Sequence, residues 1–142
     1  MKVKDVMVRK VITIQPGKTL REAAEKMVDN RIGSLIVVKG SELAGLITET
    51  DIMKALAEGG DPSKSKISEI MTTNLYLVSP NDELEDAVAL MQEKKIKRLP
   101  VISGSQLAGI VTATDICAAE PRMMEALAKV MFVPKTGKGM AG

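Results

Sequence analysis

Two segments of this chain place a hydroxyl and a carboxylate three residues apart. They are Gly45-Leu46-Ile47-Thr48-Glu49-Thr50-Asp51 and Gly109-Ile110-Val111-Thr112-Ala113-Thr114-Asp115. In each, an apolar run that reads as a buried strand leads into a helix, with the threonine at the junction. An ionised carboxylate has acceptor sites only, so Asp51 and Asp115 suit hydroxyl or amide donors. Thr-x-x-Asp is also the pattern of a capping box, in which both side chains satisfy amides at their own helix start. Two features weigh towards a ligand. A strand-to-helix junction is where phosphorylated ligands tend to sit. A glycine three residues before the threonine admits close approach by a ligand or by another stretch of backbone.

Most other chemistry is excluded by what the chain lacks. It has no histidine, which removes the usual general base and the commonest transition-metal ligand. Its one cysteine, Cys117, cannot close an internal disulfide and fits a reducing compartment as a small buried side chain. No constellation of base, nucleophile or metal ligands is visible. The expectation is a protein that is not an enzyme, with no catalytic or metal site and no required cofactor.

The elements that must position the two segments come from an internal repeat. Asp5-Val6-Met7 reappears as Glu69-Ile70-Met71, a shift of 64 positions. The same shift carries Pro16 onto Pro80, Leu20 onto Leu84, Met27 onto Met91, Leu43-Ala44-Gly45 onto Leu107-Ala108-Gly109, and Asp51 onto Asp115. Chance does not hold register over that distance.

Each copy reads strand–helix–strand–strand–helix. The first strand covers 11–14 or 75–78 and is ended by proline. The first helix carries the apolar stripe Leu20, Ala23, Ala24, Met27 and Val28, matched by Leu84, Ala87, Val88 and Met91. Thr19 with Glu22 caps it in one copy, and Asn81 or Asp82 in the other. Hairpins over 35–48 and 99–112 follow, then helices starting near Thr50 and Thr114. The fold class is α/β (α+β): two β-α-β-β-α repeats, 1–62 and 63–120, plus a C-terminal helix and flexible tail over 121–142. A sheet this small cannot bury its apolar face alone, so the two copies are expected to pack sheet to sheet as a pseudo-twofold disc.

Residues 1–117 resemble a CBS-domain pair, the tandem cystathionine beta-synthase module also termed a Bateman module. The resemblance is carried by Asp5-Val6-Met7, Glu69-Ile70-Met71, Lys97-Arg98-Leu99-Pro100-Val101 and the two Gly-h-h-Thr-x-Thr-Asp segments, where h is apolar. It implies inter-repeat clefts that hold AMP, ADP, ATP or S-adenosylmethionine, with each aspartate accepting both ribose hydroxyls and each threonine touching ribose or the first phosphate. One cleft would use Thr48, Thr50 and Asp51 with 72–78 and Lys97-Arg98-Leu99-Pro100. The other would use Thr112, Thr114 and Asp115 with 8–13 (Ile12 and Thr13 among them) and Gly33-Ser34-Leu35-Ile36. Lys97 and Arg98 match phosphate-gripping positions in the family; the first repeat has Gly33 and Ser34 there, and Ile36 replaces the usual proline. Ile12, Ile47, Leu99, Ile110 and Val111 could wall the base, though each is a core residue first.

Composition argues against a nucleic-acid protein. Apolar residues make up 45% and charged residues 27%, a globular balance. The net charge is +2, all of it in residues 118–142, so the body offers no field for nucleic acid. With Tyr76 and Phe132 the sole aromatics, there is no stacking platform for single strands either. No apolar run reaches membrane-spanning length, and the opening residues lack a signal peptide's apolar stretch, so a cytoplasmic protein away from membranes is expected. Met124, Leu127, Ala128 and Met131 recur at helical spacing after Pro121 and either dock on the body or meet a second copy. The leading expectation is a homodimer that senses an adenosine-containing small molecule and modulates an unidentified protein. The alternatives are an interaction module with vestigial clefts and a weak nucleic-acid binder.

Overall fold

A computed structural model describes residues 1–132; the flexible tail expected over 135–142 lies outside the described residues. The chain is a mixed α/β protein with five strands and six helices among those residues. It forms two compact units. The repeat-one unit comprises Lys10–Tyr76 and Gly104–Leu107; the repeat-two unit comprises Met1–Arg9, Leu77–Ser103 and the described residues from Ala108 onward.

In the repeat-one unit, β1 (Thr13–Ile14) leads to α1 (Leu20–Asn30), the hairpin β2 (Ser34–Lys39) and β3 (Glu42–Thr48), α2 (Glu49–Ala57) and the short α3 (Ile67–Ile70). β1 pairs with β2 in parallel, Thr13 opposite Ile36, and β2 pairs antiparallel with β3, Ser34 opposite Thr48. The helix α1 forms as its sequence specifies. Thr19 Oγ1 accepts from the Glu22 amide at 3.1 Å, and the Glu22 carboxylate accepts from the Thr19 amide at 3.1 Å. That amide holds the Glu22 carboxyl below its ordinary pKa. Its apolar stripe buries Leu20, Ala23 and Met27 against Leu35, Val37, Ile47, Ile52 and Ile67.

The repeat-two unit contains α4 (Leu84–Lys94), β4 (Arg98–Ser103), β5 (Gln106–Thr112, its first two residues grouped with the other unit), α5 (Ala113–Ala119) and α6 (Met124–Met131). Leu84, Ala87 and Met91 fill its core with Val3, Leu99, Val101, Val111, Ile116 and Leu127. Two expectations fail here, each for a local reason. Residues 75–78 form no strand; only Val78 bridges Val101. Pro100 stands where β2 has Ile36, and proline cannot donate to a ladder, leaving the Val78 amide to Pro100 O at 3.2 Å and the Ile102 amide to Val78 O at 2.9 Å. Nor does Asn81 or Asp82 cap α4. The cap position falls to Glu83, which makes no cap bond and pairs with Lys2 instead, while Asp82 accepts from the Ser79 amide at 2.8 Å.

Each unit takes its Asp/Glu-h-Met segment from the other copy of the sequence repeat. The Ile67 amide donates to Lys18 O and the Ser68 amide to Pro16 O, at 2.9 and 3.0 Å. At the matching positions 64 residues away, the Val3 amide donates to Asp82 O and the Lys4 amide to Pro80 O, both at 2.9 Å. α6 packs within its own unit on a side turned from the expected stripe of Met124, Leu127, Ala128 and Met131, since Met124 is exposed. Leu127 is fully buried, and Met123, Ala126, Val130 and Met131 pack beside it.

Both long helices end on a non-glycine residue in the left-handed region, Arg31 at φ 54° and Lys95 at φ 56°. That conformation costs an L-residue with a side chain roughly 1–2 kcal/mol, and glycine adopts it freely at some entropic cost in the unfolded chain. Lys95→Gly is therefore expected to raise the unfolding free energy by about 0.5–1 kcal/mol, and Lys95→Val to lower it by about 1 kcal/mol. Denaturant titration of both variants checks this; equal shifts would mean that only the lysine's charge matters.

Candidate functional site

Each Thr-x-x-Asp motif lies where a hairpin's second strand enters a helix. In the repeat-one unit, Thr48 is the N-cap of α2, and its Oγ1 accepts from the Asp51 amide at 3.2 Å. Asp51 Oδ2 in turn accepts from the Thr48 amide at 2.9 Å, so this box is closed. In the repeat-two unit, Thr112 caps α5 and accepts from the Asp115 amide at 3.1 Å. The reciprocal bond is missing. Asp115 is half-buried, and no protein group among the described residues engages its carboxylate. The first motif reads as a completed cap, the second as a cap with a free acceptor.

The surroundings of the motifs also differ. The Glu49 amide donates to Gly33 O and the Ala113 amide to Lys97 O, both at 2.9 Å. In the repeat-one unit the motif thus sits beside Gly33 and Ser34, with Glu49 exposed at the first helical position. In the repeat-two unit it sits beside Lys97, which is exposed, and Arg98, which is half-buried. Neither cation forms an ion pair among the described residues. Glu49 is a charged neighbour that sequence reasoning passed over; its mismatch with Ala113 under the 64-residue shift was the available signal.

The remaining expected site residues fall into two groups. Leu35, Ile36, Ile47, Leu99 and Val111 are at most 2% exposed and Pro100 is buried; Leu35, Ile47, Leu99 and Val111 belong to their units' hydrophobic cores. Ile12, Thr13, Ser34 and Ile110 are half-buried, and Thr50 and Thr114 are exposed at the second helical position of α2 and α5. The repeat-one unit holds Ile12, Thr13, Ser34, Leu35, Ile36, Ile47, Thr48, Thr50 and Asp51; the repeat-two unit holds Lys97 to Pro100, Val111, Thr112, Thr114 and Asp115.

The motif glycines make room for backbone. A Cβ on Gly45 would lie 2.8 Å from Thr72 O and 2.9 Å from the Met71 sulfur. One on Gly109 would lie 2.6 Å from Val8 O and 3.2 Å from the Met7 sulfur. At these glycines the segment taken from the other repeat copy pairs with the strand: Leu46 and Thr72 exchange amide bonds of 2.9 and 2.9 Å, and Val8 and Ile110 exchange bonds of 2.8 and 3.0 Å. Of the two roles open to a glycine before the threonine, the structure shows close approach of main chain.

Comparisons with known proteins agree with this architecture. A family model described as the CBS domain matches residues 3–58 and again 67–122. The chain is 39% identical over 115 residues to CBS domain-containing protein YhcV of Bacillus subtilis, covering 80% of this chain and 81% of that protein. It resembles the crystal structure of Hypoxic Response Protein I with two coordinated zinc ions, at 33% identity and a TM-score of 0.76, covering 84% of this chain and 98% of that one. It also resembles the CBS domain pair of protein MJ0100 in complex with 5′-methylthioadenosine and S-adenosylmethionine, at 31% identity and a TM-score of 0.75, covering 86% and 97%. The described residues of this chain hold no group of three or more side chains suited to a metal ion.

Overpacking a filled site costs about 1–3 kcal/mol. Gly45→Ala and Gly109→Ala should each lose about that much stability, Gly109→Ala the more because its neighbour is closer. Gly17→Ala, which meets nothing within 4 Å, is the control. Thermal unfolding of the three variants checks the order, and an unperturbed Gly109→Ala would show that the pairing of Val8 with Ile110 yields without cost.

Proposed function

Because this chain belongs to the CBS-domain family and carries the domain twice, we propose that it is a regulatory sensor of an adenosine-containing small molecule. The two Thr-x-x-Asp junctions are its ribose-binding elements. Asp115 is the observation that carries this reading: a half-buried carboxylate at a strand-to-helix junction, with a neighbouring threonine and no bond from its own helix. A vicinal diol offers two donors at the spacing of a carboxylate's two oxygens. The solved MJ0100 pair with 5′-methylthioadenosine and S-adenosylmethionine supports the class of ligand, since both compounds contain adenosine. Lys97 and Arg98 supply phosphate contacts, arginine as a two-pronged donor. Binding, rather than turnover, is the role of these residues, and the ligand's effect is passed to a regulated protein in the cytoplasm. A second reading, a cleft kept for interaction alone, is favoured at one place: the closed Thr48–Asp51 box.

Calorimetric titration with AMP, ADP, ATP and S-adenosylmethionine, with GTP as comparator, separates these readings. Adenosine compounds should bind and GTP should not; equal or stronger binding of GTP would overturn the proposal. Asp115→Ala should weaken binding by about 1–3 kcal/mol while leaving stability within about 0.5 kcal/mol, because this carboxylate caps nothing. Asp51→Ala should instead lose about 0.5–2 kcal/mol of stability as its box opens. Arg98→Ala should weaken ATP more than adenosine. The family resemblance assigns Arg98 and Asp51 to one ligand, so Arg98→Ala and Asp51→Ala should be non-additive; non-additivity with Asp115→Ala would assign the phosphate contact to that aspartate's ligand.

A further inference from the structure

The two junctions carry opposite charge at one matched position. In the repeat-two unit Lys97 and Arg98 lead into β4, and the Ala113 amide donates to Lys97 O at 2.9 Å. Under the 64-residue shift the two cations become Gly33 and Ser34, and Ala113 becomes Glu49. The Glu49 side chain folds back over the glycine. A Cβ on Gly33 would lie 3.1 Å from Glu49 Oε1 and 3.5 Å from Oε2, so the missing side chain is what lets the carboxylate sit there. Where the repeat-two unit has a lysine side chain, the repeat-one unit has a carboxylate. Among the described residues that carboxylate forms no ion pair and no hydrogen bond, and Glu49 is exposed. Arg31 lines one groove with it and still forms no ion pair. An acid in the first turn suits the helix dipole, but the dipole does not account for a carboxylate laid over a glycine.

We propose that Glu49 is a specificity-determining residue for the ligand that meets Gly33 and Ser34. It favours an adenosine compound whose 5′ substituent carries a positive charge, such as a sulfonium, and disfavours one that carries a phosphate there. The proposal rests on the ligand reading above and adds to it the sign of charge at one position. The family resemblance gives Gly33 and Ser34 to the ligand of Asp115. The open acceptor then takes the ribose, and Glu49 faces the charge beside it. Opposite unit charges about 4 Å apart in a water-like medium favour association by about fivefold, and like charges oppose it by as much.

S-adenosylmethionine and S-adenosylhomocysteine differ by one methyl group and the sulfonium charge, and AMP places a phosphate at the same end of the ribose. The test is calorimetric titration of the intact protein, Glu49→Gln and Glu49→Lys with all three compounds. The wild type should bind S-adenosylmethionine about fivefold more tightly than S-adenosylhomocysteine. Added salt should shrink that preference, because Glu49 is exposed and exposed charges are screened. Glu49→Gln, close in shape, should bring the two compounds within about twofold of each other. Glu49→Lys should reverse their order and tighten AMP. The substituted position is exposed, so both variants should fold, as thermal unfolding will verify. If Glu49→Gln weakens both compounds equally, the side chain only steadies the junction and the proposal is overturned. A preference for S-adenosylmethionine that survives both substitutions, or none in the wild type, overturns it as well. If no adenosine compound binds at all, the ligand reading itself falls and takes this inference with it.

Discussion

Each unit depends on a pair of main-chain hydrogen bonds made where no side chain intervenes. Leu46 with Thr72, and Ile110 with Val8, exchange amide bonds across a glycine, and a methionine lies over each glycine. Removing the side chain lets two backbones close to bonding distance, and the bonds satisfy amides that burial would otherwise leave costly. These bonds hold a short segment against the strand that delivers Thr48 or Thr112 to its helix. The position of the hydroxyl–carboxylate junction is thus a consequence of a close main-chain approach two residues earlier.

Duplication gave both units this frame, and single substitutions then set them apart. Pro100 in place of an Ile36 counterpart shortens a parallel ladder to one bridge. Glu49 in place of an Ala113 counterpart puts a second carboxylate at one helix start, while Lys97 and Arg98 put cations at the other. The reciprocal cap bond is present at Asp51 and absent at Asp115. Similar backbones therefore present different electrostatic environments, one acidic and self-satisfied, the other basic with an open acceptor.

Much of this was legible in the sequence because it is local. The 64-residue register, both hairpins, the helices and the Thr48 and Thr112 junctions follow from periodicity, turn residues and caps, which act within a few positions. What escaped is governed by distant partners. Nothing in 1–9 announces that the segment bonds to Asp82 and Pro80 rather than to its own repeat. The missing strand at 75–78 was legible in principle, since Pro100 has no amide to offer, but only once the register opposite it was known. Glu83 was drawn from capping by Lys2, a residue 81 positions away. For the candidate site, residue types and spacing were readable, whereas the difference between a closed and an open capping box depends on side-chain geometry that both motifs permit.

The exchanged segments also bear on how the chain acquires its structure during synthesis. The bonds that hold 65–72 reach back to partners already made, so nearly all of the repeat-one unit has its contacts once residue 76 has emerged from the ribosome. Residues 1–9 are translated well before their partners, since they bond to Pro80, Asp82 and Ile110. At about 5–20 residues per second, that opening segment waits several seconds or more for its strand. The order of translation therefore favours a vectorial path in which the repeat-one unit condenses first. The repeat-two unit closes last, around a segment made long before the strand it pairs with.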